Sequence, residues 1–275
     1  MTKDAQFYIV PTPIGNLEDI TLRALDVLKS VDVIACEDSR TTQKLLNRYE
    51  IKTKLISYHK FNEKQRVQFF LDILKEGKTV ALVSDAGTPL ICDPGSVLVS
   101  ELREQGIKMT ALAGASAVTT FLSQVPRGGE EFAFVGFLPK TEQKVQEILQ
   151  KYSYTNLVFY ESPNRLLKTL EYVKKFNPSA KVAVGRELTK MFEEVVVNEI
   201  QNIINYYKKN ILKGEIVAMV YKSISAEFSQ IELEDKILKL KQKNFGAKEI
   251  STILATLYEI NKNEVYKQMI GSSEV

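Results

Sequence analysis

The chain has 275 residues, 44% of them apolar and 26% charged, with a formal net charge of +3. That composition is globular and leaves room for two ordinary domains and an appendage. It excludes several classes: no apolar run is long enough to cross a bilayer, and the single histidine, His59, leaves little basis for a histidine-built metal site or a Ser-His-Asp hydrolase.

The first residues lead straight into a strand with no leader pattern, so a cytoplasmic protein is expected. Its two distant cysteines, Cys36 and Cys92, are read as reduced thiols. Strands are predicted at residues 7–10 (FYIV), 31–36 (VDVIAC), 54–57, 79–83 (TVALV) and 108–112, and helices at 21–30, 41–49, 63–76, 96–105 and 115–123. Gly77 and Gly106 stand where helix C-terminal caps belong. The strands are unbroken apolar runs, as expected when helices cover both faces of a parallel sheet. The breaker-rich stretch 125–131 (VPRGGEE) sets the boundary between a first domain, 1–124, and a second, 125–224.

In the second half, strands are predicted at 132–137, 156–160, 181–185, 194–198 and 215–221, and helices at 141–152, 163–176 and 200–209, forming a mixed sheet. Ser162-Pro163 has the pattern of a helix start. Residues 225–275 read as a helical tail: Ile250, Ile253, Leu254 and Leu257 recur at helical spacing, and Gly246 and Asn261 punctuate. Its eight basic residues, counted from Lys222, balance eight acidic ones, so the tail is not read as a DNA-binding element.

Ligands of a parallel α/β sheet sit beyond the carboxyl ends of the strands. The turn after the first strand, residues 11–19 (PTPIGNLED), is stiffened by prolines; it is neither a GxGxxG fingerprint nor a lysine-bearing phosphate loop. The turn after the second, residues 37–42 (EDSRTT), sets Glu37 and Asp38 at a buried strand end, where acids must be solvated, paired or used. There Asp38 or Ser39 is also a candidate helix cap, and Arg40 a candidate partner for the acids. After the fourth strand, Ser84, Asp85, Ala86, Gly87 and Thr88 combine small residues with fixed polar atoms and form the best cofactor loop. The following Cys92-Asp93-Pro94-Gly95 reads as a helix start. After the fifth, Ala113 to Ala117 serves equally well for close ligand approach or for tight helix–sheet packing. From 139 to 190, ten Lys and Arg face five acids, a surplus that fits either a solvated helix face or a phosphate-facing surface.

Six ordered motifs, PTPIGNLEDIT, EDSRTTQKLL, SYHKFNE, SDAGTPLICDPG, FYESPNRLL and GRELTKMFEE, resemble the tetrapyrrole methylase superfamily, and within it the ribosomal RNA small subunit methyltransferase I type. The resemblance spans essentially the whole chain. It implies two α/β domains with an active-site cleft between them, S-adenosylmethionine as cofactor, a homodimer, and methylation of the ribose 2'-hydroxyl of a cytidine in small-subunit (16S) ribosomal RNA, free or in the assembled subunit. By motif, Pro13, Ile14 and Gly15 match a first cofactor loop; Ala86, Gly87, Thr88 and Ile91, beside Asp85, a second; Ser116 and Ala117 a third contact, Glu161 a fourth and Leu188 a fifth. Ser39, Ala113 and Val125-Pro126 depart from the usual pattern. For the chemistry, Asp38, Glu187 and Lys190 are candidates to take or stabilise the hydroxyl proton, with Arg40 on phosphate or on Asp38. As a base, Lys190 needs a lowered pKa. Lys140, Arg165 and Lys168 are candidate RNA phosphate contacts. A sister enzyme acting on a precorrin-type tetrapyrrole and a non-catalytic RNA-binding module remain as alternatives.

Overall fold

A computed structural model describes residues 5–126, 130–210, 212–222, 230–258 and 261–271. In the first half, strands β1 (Phe7–Ile9), β2 (Val33–Cys36), β3 (Lys54–Ser57), β4 (Val80–Val83) and β5 (Met109–Ala111) alternate with helices α1 (Leu22–Ser30), α2 (Ser39–Arg48), α3 (Glu63–Lys75), α4 (Ser96–Glu104) and α5 (Ala117–Leu122). All strand pairs are parallel, in the order β3-β2-β4-β1-β5. Every residue of β2 and β4 is buried, which accounts for their unbroken apolar sequence. Side chains alternate across the sheet. Phe7, Val80 and Leu82 pack with α3 and α4, whereas Val10, Ala81 and Val83 pack with α1 and α2. The chain therefore leaves the neighbouring strands β1 and β4 toward opposite faces, and this opens a crevice at their carboxyl ends.

The second half holds β6 (Phe132–Phe137), α6 (Glu142–Lys151), β7 (Asn156–Glu161), α7 (Pro163–Phe176), β8 (Lys181–Arg186), β9 (Glu194–Glu199), α8 (Ile200–Lys209) and β10 (Ile216–Val220). Its sheet runs β6-β7-β10-β8-β9 and is mixed: β6 and β7 are parallel, the other pairs antiparallel. Helices α6, α7 and α8 bury one face of it. The other face meets the first half, where Val118, Phe121, Leu122 and Val125 pack against Val158, Ala183, Val217 and Met219. Gly185 makes this seam close, because a Cβ there would come within 2.6 Å of the Phe121 ring. The two halves thus share an apolar core within one compact unit, residues 1–222. Of the predicted boundary segment, Arg127, Gly128 and Gly129 lie outside the described residues.

Residues 223–275 form a second compact unit. Its helices α9 (Gln230–Gln242), α10 (Ala247–Tyr258) and α11 (Lys262–Gly271) enclose a small core of Ile237, Ile250, Leu254, Val265 and Met269. No helix among the described residues is long and apolar enough to cross a membrane. Both cysteines are free thiols, Cys36 buried and Cys92 exposed.

Candidate active site

The turns that follow β1, β2, β4 and β5 meet those that follow β7 and β8, together with the start of β10, around a cavity of about 450 Å³. That volume falls in the ~300–1,000 Å³ range of small-molecule sites. The first half contributes Ile14, Glu37, Asp85, Ala86, Gly87, Thr88, Ile91, Cys92, Asp93, Ser116 and Ala117. The second contributes Phe137, Tyr160, Glu161, Ser162, Pro163, Leu188, Gly214, Glu215, Ile216 and Val217.

The first-half loops hold one another in place. Thr12 and Gly87 exchange backbone hydrogen bonds of 2.9 Å in both directions, and the Thr12 hydroxyl donates to the Ser84 carbonyl at 3.0 Å. Gly87 has φ +77°, a conformation that favours glycine, and a Cβ there would press on Ile14. The Thr88 hydroxyl donates to the Ala115 carbonyl at 3.0 Å, tying the β4 turn to the β5 turn. Gly114 serves packing: a Cβ would overlap the Pro11 ring. Across the halves, the Gly15 backbone lies against Leu188, Thr189 and Lys190, so motifs more than 170 residues apart in sequence touch.

Of the twelve residues matched to cofactor loops, ten line the cavity: Ile14, Asp85, Ala86, Gly87, Thr88, Ile91, Ser116, Ala117, Glu161 and Leu188. Pro13 and Gly15 flank Ile14 without lining it. Glu161 is committed within its own half. Its side chain is fully buried, accepts from the Ser162 backbone N–H (2.8 Å) and the Thr169 hydroxyl (2.7 Å), and lies 3.3 Å from the Arg165 guanidinium.

The four residues predicted for chemistry stand off the cavity wall. Asp38 caps α2 through the Arg40 backbone N–H (2.8 Å), and the Arg40 guanidinium pairs with its carboxylate at 2.6 Å, which holds the Asp38 pKa down at about 2. The Asp38 backbone N–H donates to the Asp85 carboxylate at 3.0 Å, so this segment orients a cavity residue. Glu187 accepts from the Glu215 backbone N–H (3.0 Å) and from the Lys190 ammonium (2.8 Å), which also reaches Glu215 at 3.1 Å. Burial acts to lower the Lys190 pKa, but the hydrogen bonds and charges of Glu187 and Glu215 outweigh it and raise the pKa. The lowered pKa required of a lysine base is therefore not met, because the neighbours of Lys190 are acids, not cations. Lys190 and Glu187 instead fix Glu215 at the cavity edge.

The RNA candidates separate. Lys140 and Lys168 are exposed, Lys168 resting near the Tyr172 ring at 5.8 Å. Arg165 is partly engaged: its Nη2 donates to the Leu138 and Pro139 carbonyls (2.9 and 2.8 Å) and lies 3.3 Å from Glu161, while 28% of the side chain stays exposed.

Residues 6–204 match the sequence profile of the Tetrapyrrole (Corrin/Porphyrin) Methylases. Curated relatives called ribosomal RNA small subunit methyltransferase I are similar over nearly the whole chain. That of Rickettsia prowazekii is 40% identical, covering 96% of this chain and 94% of its own length, and that of Vibrio cholerae 42% identical, covering 94% and 92%. The chain belongs to the tetrapyrrole methylase family, in the ribosomal RNA small subunit methyltransferase I group. Solved structures share the fold at low identity. Diphthine synthase has a TM-score of 0.61 at 13% identity, covering 79% of this chain and 90% of its own. Uroporphyrin-III C-methyltransferase from Thermus thermophilus, complexed with S-adenosylhomocysteine, has 0.55 at 17%, covering 78% and 97%.

In this methyltransferase the motifs left two cavity acids without a role. In the sequence Glu37 reads only as a strand-end acid, and Asp93 as part of a helix start. Gly95 (φ +135°) is the N-cap of α4, which starts at Ser96 with no side-chain cap, and Asp93 lines the cavity. Among the described residues neither acid has an ion-pair partner. Burial, then the charge of Glu37, pushes the Asp93 pKa up to about 6, against a hydrogen bond from Ser84 that lowers it. Burial and the charge of Asp85 push Glu37 up as well. Tyr160, also on the wall, is pushed up to about 12, first by burial. The methyltransferase cavity therefore combines apolar walls with excess negative charge.

Proposed function

We propose that this protein methylates the ribose 2'-hydroxyl of a cytidine in small-subunit (16S) ribosomal RNA, with S-adenosylmethionine as donor. The observation that carries this reading is a cavity built from strand-end turns of both halves, in a chain of the ribosomal RNA small subunit methyltransferase I group. The donor fits the residues present. Ile14, Ile91, Leu188 and Val217 offer apolar walls, Ala86, Gly87 and Ala117 allow close approach, and unpaired Glu37 and Asp93 complement a ligand that carries positive charge. When bound, S-adenosylmethionine supplies a methyl group activated as a sulfonium.

The chain's own residues do the rest. Rigid turns orient the two reactants, which alone supplies several kcal/mol of the barrier. A ribose hydroxyl must lose its proton as it attacks, and Asp93 and Glu37 are the cavity carboxylates not committed elsewhere. Of the remaining acids, Glu161 is saturated by internal bonds, Glu215 is paired with Lys190, and Asp85 accepts from the Asp38 backbone. Asp93, with a pKa near 6, is ionised and still basic at neutral pH, the condition for a general base. Lys140 and Lys168, both exposed, and the partly exposed Arg165 are the candidate phosphate contacts. The protein works in the cytoplasm, as a homodimer, on free RNA or the assembled small subunit. Nucleoside mass spectrometry of small-subunit RNA from cells with and without the gene tests the reading. Loss of one 2'-O-methylcytidine is expected, and an unchanged methylation pattern overturns it.

A further inference from the structure

The SYHKFNE motif has no part in the cavity wall, yet its fold is specific. After β3 the chain makes a tight turn. The His59 backbone N–H donates to the Asn62 side chain (2.8 Å), the Phe61 N–H donates to His59 Nδ1 (3.2 Å), and the Asn62 amide donates to the Ser57 carbonyl (3.2 Å). This well-anchored turn presents the Phe61 ring to solvent, 92% exposed, with the His59 ring at its edge (6.1 Å between centroids). Packing inside the protein does not explain an aromatic ring held in that way.

The turn stands beside the cavity. Tyr58 extends the sheet through a backbone hydrogen bond to Cys36 (2.8 Å), the residue before Glu37. The Glu63 carboxylate accepts from the Tyr58 hydroxyl and from the Gly95 backbone N–H (both 2.9 Å), two residues after Asp93. Glu63 is the only acid between residues 59 and 71, and it faces inward. Lys60 and Lys64 are exposed, and Arg66 lies over the Phe69 ring at 5.4 Å. A basic strip with exposed aromatic rings matches an unpaired RNA strand: bases stack on rings while cations meet phosphates.

We propose that the segment from His59 to Arg66 is an RNA-contacting surface on which Phe61 stacks with an unpaired base next to the target nucleotide, while Lys60 and Lys64 hold its phosphates. This rests on the reading of the cavity as an RNA methyltransferase site. Phe61 is a positioning residue; it takes no part in methyl transfer.

The test uses the full chain, labelled S-adenosylmethionine, and small ribosomal subunits purified from a strain lacking the gene, with the 16S RNA stripped from them as a second substrate. Phe61→Ala is expected to raise KM for the RNA about tenfold, in keeping with loss of one stacked base, with kcat and S-adenosylhomocysteine affinity little changed. Phe61→Trp is expected to restore KM, and Lys60→Gln with Lys64→Gln to flatten the salt dependence of KM. An unchanged KM for Phe61→Ala overturns the proposal. So does a Phe61→Ala protein whose mass by light scattering falls by half, since the ring would then belong to a contact between two copies. If the unaltered protein methylates neither substrate, it is the underlying methyltransferase reading that fails.

Discussion

Gly15, in the turn after β1, packs against the Leu188 carbonyl in the turn after β8, so closely that a Cβ on Gly15 would stand 2.9 Å from that oxygen. The contact joins the two halves at the edge of the cavity, with Ile14 and Leu188 both on its wall. Gly15→Ala must therefore push the turns apart. A loss of about 1–3 kcal/mol of stability is expected for such overpacking, together with a larger fractional loss of S-adenosylhomocysteine affinity. Denaturant titration and calorimetry read the two effects separately, and an Ala variant that binds as the parent does would show the junction to be dispensable.

Asp93 gives a pH dependence with a definite sign. Its pKa of about 6 stands above the ordinary 3.8, so the native state holds this proton more tightly than the unfolded chain. Stability is unpenalised below about pH 4 and falls as pH rises to about 6, beyond which the full cost persists. The carboxyl is only half-buried, so that cost is about 1 kcal/mol once solvent screening is allowed for. Asp93→Asn should gain roughly this much at pH 8, gain nothing at pH 4, and lose most of its turnover. Melting curves at the two pH values check the first claim and single-turnover rates the second.

The charge of the donor links to the same group. A cationic ligand favours ionised Asp93, so S-adenosylmethionine affinity should weaken as pH falls through about 6. Calorimetry at pH 5 and pH 8 measures this. In Asp93→Asn the dependence should shrink, with Glu37 accounting for what remains.

Arg165 and Lys168 should behave differently although both lie on α7. Arg165→Ala leaves the fully buried Glu161 without its cation and frees two carbonyls, at a cost of about 3 kcal/mol or more in unfolding free energy. Lys168→Gln should be close to neutral for stability and reduce the salt slope of RNA binding by about one. Equal stabilities for the two variants would show that the Arg165 network carries little.

The parallel first sheet was legible because its strands are buried on both faces and so read as unbroken apolar runs, and the turns after β4 and β5 that line the cavity were legible because small residues follow those strands. The residues that face the cavity were less so. Asp93 sits in a Cys-Asp-Pro-Gly run that looks like a helix start; α4 does start at Ser96, but its N-cap is Gly95 with no side-chain cap, which leaves Asp93 to the cavity. Glu37 and Asp38 are adjacent, but the strand end sends one to the cavity and the other to Arg40, a choice that composition does not encode. Glu215 to Val217 read as the start of an ordinary strand, just after Gly214. Their place on the wall depends on Glu187, whose carboxylate occupies the space a Cβ on Gly214 would need. The basic surplus from 139 to 190 also did not reveal that Arg165 is partly engaged with Glu161 and two backbone carbonyls.

The most direct measurement is nucleoside mass spectrometry of small-subunit ribosomal RNA after incubation with the purified protein and isotopically labelled S-adenosylmethionine, for the parent and for Gly87→Val, which strains the turn at φ +77° and presses on Ile14. The expected result is one labelled methyl group per RNA on a cytidine ribose with the parent, and almost none with the variant. A label on a base, no label at all, or an undiminished signal from Gly87→Val would contradict a donor site formed where the turns of the two halves meet.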